Sequence, residues 1–219
     1  MGIISLERVD NLIWLGRYSE RVYLTIKEFF RCYDEMLDHP TMYQEYCQNL
    51  QIPMIYESPT DFVQRYVRDE DITDSIIANL YRAYDNCIVL RNEIGTETMT
   101  YLELALDDLK SIHEFDSFLL DLQLVVDHIL AFWASLSENV LDYDVRDIIK
   151  LGQRQERMDM YLRLRKEKKD IKKAYDSLHH RLNKTILPYD LLKMEQLKTG
   201  VEETIIDYPA CIECVEGLL

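Results

Sequence analysis

Thirteen residues near the start of this chain, Val9 to Arg21, return 136 positions later as Val145 to Arg157. Six of the thirteen are identical: Val9, Ile13, Leu15, Gly16, Glu20 and Arg21 align with Val145, Ile149, Leu151, Gly152, Glu156 and Arg157. Leu12 aligns with Ile148. Each copy therefore carries Leu-Gly-x-x-x-Glu-Arg, a duplication of one helix rather than a short-period solenoid. In the first copy, Val9, Ile13, Gly16, Glu20, Tyr23 and Phe30 fall at spacings of three, four and seven, the stripe of an amphipathic helix. A glycine inside a helix costs about 1 kcal/mol against alanine. It is tolerated where a second backbone must come close. Gly16 and Gly152 thus predict a close crossing of the two copies, with Glu20 and Glu156 together beside it. A glutamate on such a stripe keeps its charge only when paired and hydrogen-bonded. The arginine fork suits that task. Arg17, Arg82 and Arg91 are the candidates from the first two helices, with Arg21 and Arg157 at the edges. Such pairs either fix helix register alone or build one polar cavity suited to a carboxylate or phosphate ligand.

The rest of the chain reads as helix. The first helix is expected from Leu6 to Leu37, stopped by His39-Pro40. Residues 40–60, with Pro40, Pro53 and Pro59, read as an irregular connection containing one short helix, and Ser58-Pro59-Thr60-Asp61 as the start of a helical turn. A second long helix is expected from Thr73, capped by Asp71 or Thr73, to a C-terminal cap at Gly95. A third runs from Thr96 to His113. A fourth, Ser117 to Glu138, is apolar on most sides and is the expected centre of the bundle. A fifth, capped by Asp142 or Asp144, reaches Lys169 or beyond. A last stretch ends before Pro188, with a short helix from Tyr189 to Gly200. No strand pattern appears, and only six Gly and five Pro interrupt 219 residues, so the reading is an all-α bundle of six to seven helices in one domain.

A net charge of −15 argues against bulk nucleic-acid binding, which needs a positive surface. Residues 163–173 nevertheless hold seven basic side chains, read as a solvated helix face or as a docking face for an acidic partner. The five cysteines are odd in number and scattered, which is no disulfide framework. No basic segment followed by an apolar run opens the chain. The most apolar stretch, Phe118 to Leu136, contains Asp121, Asp127 and His128, charges that are costly inside a bilayer. The expectation is a cytoplasmic protein with no membrane segment.

Other motifs are weaker. A di-metal bundle needs Glu-x-x-His on two helices, and Asp176-x-x-His179 is all that is offered. Cys211-Ile-Glu-Cys214 has zinc-like spacing with no second pair, and reads as an ordinary C-terminal turn. His128 reads as a core histidine, and nothing at local spacing supports a Cys-His nucleophile. No glycine loop cradles phosphate, so neither P-loop nor Rossmann nucleotide binding is expected. No cofactor or metal is implied.

Taken together, Asn11-Leu-Ile-Trp-Leu-Gly-Arg-Tyr-Ser-Glu-Arg21 resembles the opening signature of the bacterial alpha-E family, an all-helical family named for its glutamates. Ile76 to Glu97 resembles the family's arginine-rich helix, with Arg82, Asn86, Arg91 and Glu97 at its polar positions and Asp85 where glutamate is usual. Ser135 to Asn139 and Arg146-Asp147 are similar to the stretch before the second signature. Leu151-Gly-Gln-Arg-Gln-Glu-Arg157 resembles that signature, with Gln153 in place of its arginine. The resemblance covers about residues 4–165 and leaves 166–219 as a helical extension. The Gln153 change makes the two halves inequivalent and favours the Arg17–Glu20–Arg21 half for a ligand.

The resemblance implies context more than chemistry. Alpha-E proteins accompany circularly permuted ATP-grasp proteins, and sometimes transglutaminase-like ones. It therefore implies a non-nucleotide-binding partner or substrate-handling subunit of an ATP-grasp amide (peptide) ligase. Its Glu/Arg cavity would hold a carboxylate-bearing ligand, such as a peptide, or dock the ligase. Two alternatives stand beside it. One is an enzyme in its own right, with Glu20 or Glu156 as the acid or base. The other is a scaffold with ion pairs only. A homo-oligomer is compatible with each.

Overall fold

The computed structural model describes residues 6–112 and 118–219, which form eleven α-helices and no strand. In chain order these are α1 (Leu6–Asp38), α2 (Met42–Leu50), α3 (Pro59–Arg68), α4 (Ile76–Val89), α5 (Arg91–Ile94) and α6 (Thr96–Ser111). They continue with α7 (Phe118–Asn139), α8 (Tyr143–Arg163), α9 (Lys168–Leu182), α10 (Leu191–Glu202) and α11 (Tyr208–Glu216). His113 and Ser117, expected as helix ends, lie outside the described residues.

Six to seven helices was too few, and side-chain caps explain much of the excess. Ser58 accepts a hydrogen bond from the Asp61 amide at 3.1 Å and starts α3 with Pro59 in its first turn. Ser75, rather than Asp71 or Thr73, caps α4 by accepting from the Ala78 amide at 3.1 Å. Asp190 and Asp207 cap α10 and α11 in the same way. Each cap satisfies amides that a helix start leaves unpaired, so short helices become viable. The helix expected over 73–95 is interrupted at Leu90, and Gly95 closes it at φ 78°. The fifth helix ends at Arg163, because Arg165 turns to φ 46°. The basic stretch 163–173 is consequently not one helix face. Two of its side chains tie elements together, Lys166 reaching Glu28 on α1 and Lys168 donating to the Glu202 and Glu203 carbonyls, while Lys169, Lys172 and Lys173 lie exposed on α9.

The centre of the fold is α1 with α8, not α7. α1 packs on α8 along one side and on α4 along another, while α7 packs chiefly on α6. Leu120 on α7 is 73% exposed, and Leu124 and Leu130 are also exposed. Of the described residues, α7 is the one helix long and apolar enough to cross a membrane by length and composition. His128 is no core histidine: it lies half-buried, 2.9 Å from Asp108.

α8 serves two cores. Val145, Ile148 and Ile149 join the large core built with α1–α7. Leu151, Met158 and Leu162 join a second core with Ile171, Leu178, Leu197 and Val215 from α9–α11. Residues 166–219 are therefore packed onto the second copy of the repeat. Gln155 adds a polar tie, donating to the Val215 carbonyl at 2.9 Å.

Candidate functional site

The two repeat glycines meet the two repeats' backbones in mirrored fashion. A Cβ on Gly16 would run into the Ile149 carbonyl oxygen and lie 2.8 Å from the Gln153 nitrogen. A Cβ on Gly152 would run into the Ile13 carbonyl oxygen and lie 2.9 Å from the Ile13 carbonyl carbon. Ile13 and Ile149 occupy equivalent positions in the two copies, as do Gly16 and Gly152. The crossing of α1 and α8 is thus close to two-fold symmetric, with each glycine seated on the other helix's backbone.

The glutamates exchange partners across that axis. Glu156 Oε2 accepts from Arg17 Nε at 2.8 Å and Oε1 from Arg21 Nε at 2.5 Å. Glu20 Oε1 accepts from Arg157 Nε. The equivalent of Arg17 on the Glu20 side is Gln153, which faces the carboxylate without closing a hydrogen bond on Glu20 Oε2. Both glutamates are 0% exposed. Burial alone would raise both proton affinities. For Glu156 the charges of Arg21 and Arg17 outweigh burial and hold its carboxyl below the ordinary carboxylate range. For Glu20 burial wins over Arg157, Gln153 and Arg154, and its carboxyl is pushed up. One neutral side chain in place of an arginine separates two carboxylates that share a backbone frame.

Each end of the crossing opens into a cavity. At the Glu156 end, Arg21 and Asp159 line a space of about 220 Å³ with Arg163 and Asp74. At the Glu20 end, the equivalent positions, Arg157 and Tyr23, line a space of about 340 Å³ with Lys150, Arg154, Arg181 and Trp133. The charges of the two cavities are settled differently. In the first, Arg21 is held by Glu156, and Arg163 by Asp159 at 2.7 Å and Glu216 at 2.6 Å. Asp159 is itself buried, and burial with the nearby Glu156 raises its proton affinity. In the second, Arg157 is held by Glu20 and Arg181 by Asp147 at 2.5 Å. Lys150 and Arg154 have no carboxylate within ion-pair distance among the described residues. Burial, then neighbouring cations, pushes both proton affinities down: Arg146 and Arg181 act on Lys150, and Arg157 acts on Arg154, against the smaller opposing pull of Asp147 and Glu20.

Of the residues the sequence nominated, Arg17, Glu20, Arg21, Glu156 and Arg157 come together. Arg82 and Arg91 do not reach either glutamate. Arg82 donates to the Thr73 carbonyl at 2.8 Å and stacks 5.7 Å from the Tyr18 ring centre. Arg91 donates to Thr96 Oγ1 at the surface. Arg82 lies midway along α4 and Arg91 begins α5. Asn86 donates to the Arg82 carbonyl within α4, and Glu97 is exposed in the first turn of α6. Arg146 donates to the carbonyl of Ser137, a residue that lines the larger cavity, at 3.0 Å. Lys150, Arg154 and Arg181 were missed. Arg146, Lys150, Arg154 and Arg157 recur at spacings of four, four and three, which was a readable basic stripe in an acidic chain. The same positions on α1 carry Trp14 and Tyr18, stacked 5.0 Å apart beneath Arg17 and Arg21.

All five cysteines are free thiols. Burial pushes Cys32 and Cys47 up to about 12 and Cys211 to about 11, away from the thiolate that nucleophilic or metal chemistry needs. Cys211 and Cys214 sit on α11. No three His, Cys, Asp or Glu side chains among the described residues are grouped to hold a metal ion.

These observations define an all-helical protein whose centre is a duplicated helix, crossed on glycine and closed by Glu-Arg pairs. The chain belongs to the Alpha-E family, "a predicted alpha-helical domain with a conserved ER motif", which it matches over residues 7–189. The match runs past residue 165 through α9, the helix that supplies Arg181. No curated protein and no solved structure matches the chain.

Proposed function

We propose that this protein is a cytoplasmic substrate-handling partner of an ATP-grasp-type amide ligase, holding a carboxylate-bearing ligand while the ligase supplies the nucleotide chemistry. The single observation that carries this reading is the cavity beside Glu20, where Lys150 and Arg154 form no ion pair among the described residues. A cation held partly out of water without a counterion favours an incoming anion. The Glu-Arg cluster itself is closed by internal pairs. Its role here is to set the crossing angle and aim Arg157 at the cavity, so the ligand pocket lies next to the cluster rather than inside it. Peptide joining through an acyl phosphate needs a carboxylate held still, and this cavity provides the charges for that.

Co-expression with an ATP-grasp ligase encoded beside it is the test. The expected result is a stable complex, with ligation that falls in a Lys150→Met/Arg154→Met double variant while ATP binding by the ligase is unchanged. A ligase fully active alone that never binds this chain overturns the reading.

One observation favours a second reading, an enzyme in its own right. Glu20 has a raised proton affinity and an oxygen without a hydrogen bond, one residue behind the cavity wall. A general acid at neutral pH requires such a shift. Glu20→Gln would then fold normally and lose turnover, whereas Glu156→Gln would lose folding.

A further inference from the structure

We infer that the cavity at the Glu20 end is built for a dianionic group carried on an apolar body. The inference rests on the same site as the proposed function and names the class of ligand. It starts from a charge balance. Four cations line the cavity, Lys150, Arg154, Arg157 and Arg181. Arg157 is neutralised by Glu20 and Arg181 by Asp147. Two positive charges remain, on Lys150 and Arg154, one helical turn apart on α8. Their mutual proximity is unfavourable in the empty cavity, since each lies among other cations and is partly desolvated. A ligand with two negative charges on one compact group relieves both at once. A monocarboxylate relieves one.

The opposite end of the crossing shows that this is not what any solvated helix face would carry. There the equivalent positions hold Trp14 and Tyr18, and the guanidinium of Arg17 lies 4.7 Å from the Trp14 ring centre. The same frame is thus filled by aromatic rings at one end and left with two free cations at the other. In a chain of net charge −15, the cavity's two carboxylates, Glu20 and Asp147, are fewer than its four cations.

The shape of the cavity adds the second half of the inference. Trp133 and Tyr23 pack edge to face at 4.9 Å and form one wall, so apolar and aromatic surface lies opposite the cationic helix. A cavity of about 340 Å³ exceeds what a bare phosphate needs. The dianion could arise from a phosphoryl group or from a dicarboxylate, and the test separates them.

The full chain is titrated calorimetrically at about pH 8, above the second phosphate pKa of about 6, at constant ionic strength. The probes are phenyl phosphate, inorganic phosphate, phenylsuccinate and benzoate. The expected result is that a ringed dianion binds at least tenfold tighter than benzoate, with Lys150→Met and Arg154→Met each weakening it roughly tenfold. Preference for phenyl phosphate over phenylsuccinate assigns a phosphoryl ligand, and the reverse assigns a dicarboxylate. Inorganic phosphate should bind more weakly than phenyl phosphate. Benzoate binding as tightly as the dianions, or no binding by any probe, overturns the inference. Equal affinity of wild type and both variants does the same. Should a Met variant melt early, Lys150→Arg and Arg154→Lys, which keep the charge, must retain binding. Loss of ligase partnership with dianion binding intact would sink the proposed function alone.

Discussion

The two ends of the α1–α8 crossing share a backbone and differ in a handful of side chains, and the difference is electrostatic. At the Glu156 end, two arginines hold one carboxylate, and the cavity beyond has every lining cation paired. At the Glu20 end, one arginine and a glutamine face the carboxylate, and Lys150 and Arg154 in the cavity wall form no ion pair among the described residues. Duplication supplied the symmetric frame, in which glycine contacts and cross-pairing repeat. The copies diverge at 17/153, 14/150 and 18/154, where one carries Arg17, Trp14 and Tyr18 and the other Gln153, Lys150 and Arg154.

The largest expected effect breaks that comparison at its stronger end. Glu156→Ala leaves Arg17 and Arg21 without their partner and should cost about 3–5 kcal/mol by urea unfolding. Glu20→Ala strands only Arg157, which lies at a cavity wall, and should cost less than half as much. Equal losses would mean that the ends are energetically alike. Next come the glycines. Gly16→Ala and Gly152→Ala each drive a methyl into a carbonyl of the facing helix and should destabilise by about 1–3 kcal/mol or more. The two values should be close, because the contacts mirror each other.

A smaller effect lies in the pH dependence. Glu156 is held below its ordinary value of 4.5, so its stabilisation is complete above that value and lost as pH falls through the folded one. Glu20 is raised, so its contribution has the opposite sign: stability declines as pH climbs from 4.5 through the folded value. Gln153→Arg rebuilds the missing half of the symmetry. It should lower the Glu20 proton affinity and flatten that decline, an effect on the order of 1 kcal/mol. Thermal melts across the acid-to-neutral range read it directly. The smallest change is expected at Arg91→Ala, a surface hydrogen bond outside the crossing, within about 0.5 kcal/mol.

The crossing was legible in the sequence because its signals are local. A glycine on an apolar stripe, one turn before a glutamate, makes sense only against another backbone, and the second copy supplied that backbone. Which arginine serves which glutamate was less legible. Arg82 and Arg91 looked equivalent to Arg17 by residue type, but α4 and α5 turn them elsewhere, and the true pairing runs across the symmetry axis. Gln153 marked the inequivalence of the two halves, and the fold places it beside Glu20 where Arg17 stands beside Glu156. Lys150 and Arg154 gain their place from Arg181 on α9 and from the ion pairs that engage Asp147 and Glu20 elsewhere, both tertiary facts. The most apolar helix was a poor guide to the centre. Close packing on glycine drew α1 and α8 inward and left α7 with exposed leucines.

Carboxyl-carbon NMR titration of Glu20 and Glu156 in the folded protein tests the central claim most directly. The account predicts Glu20 titrating above 4.5 and Glu156 below it, with Gln153→Arg moving Glu20 down toward Glu156. Coincident titrations, or Glu156 above Glu20, would contradict it.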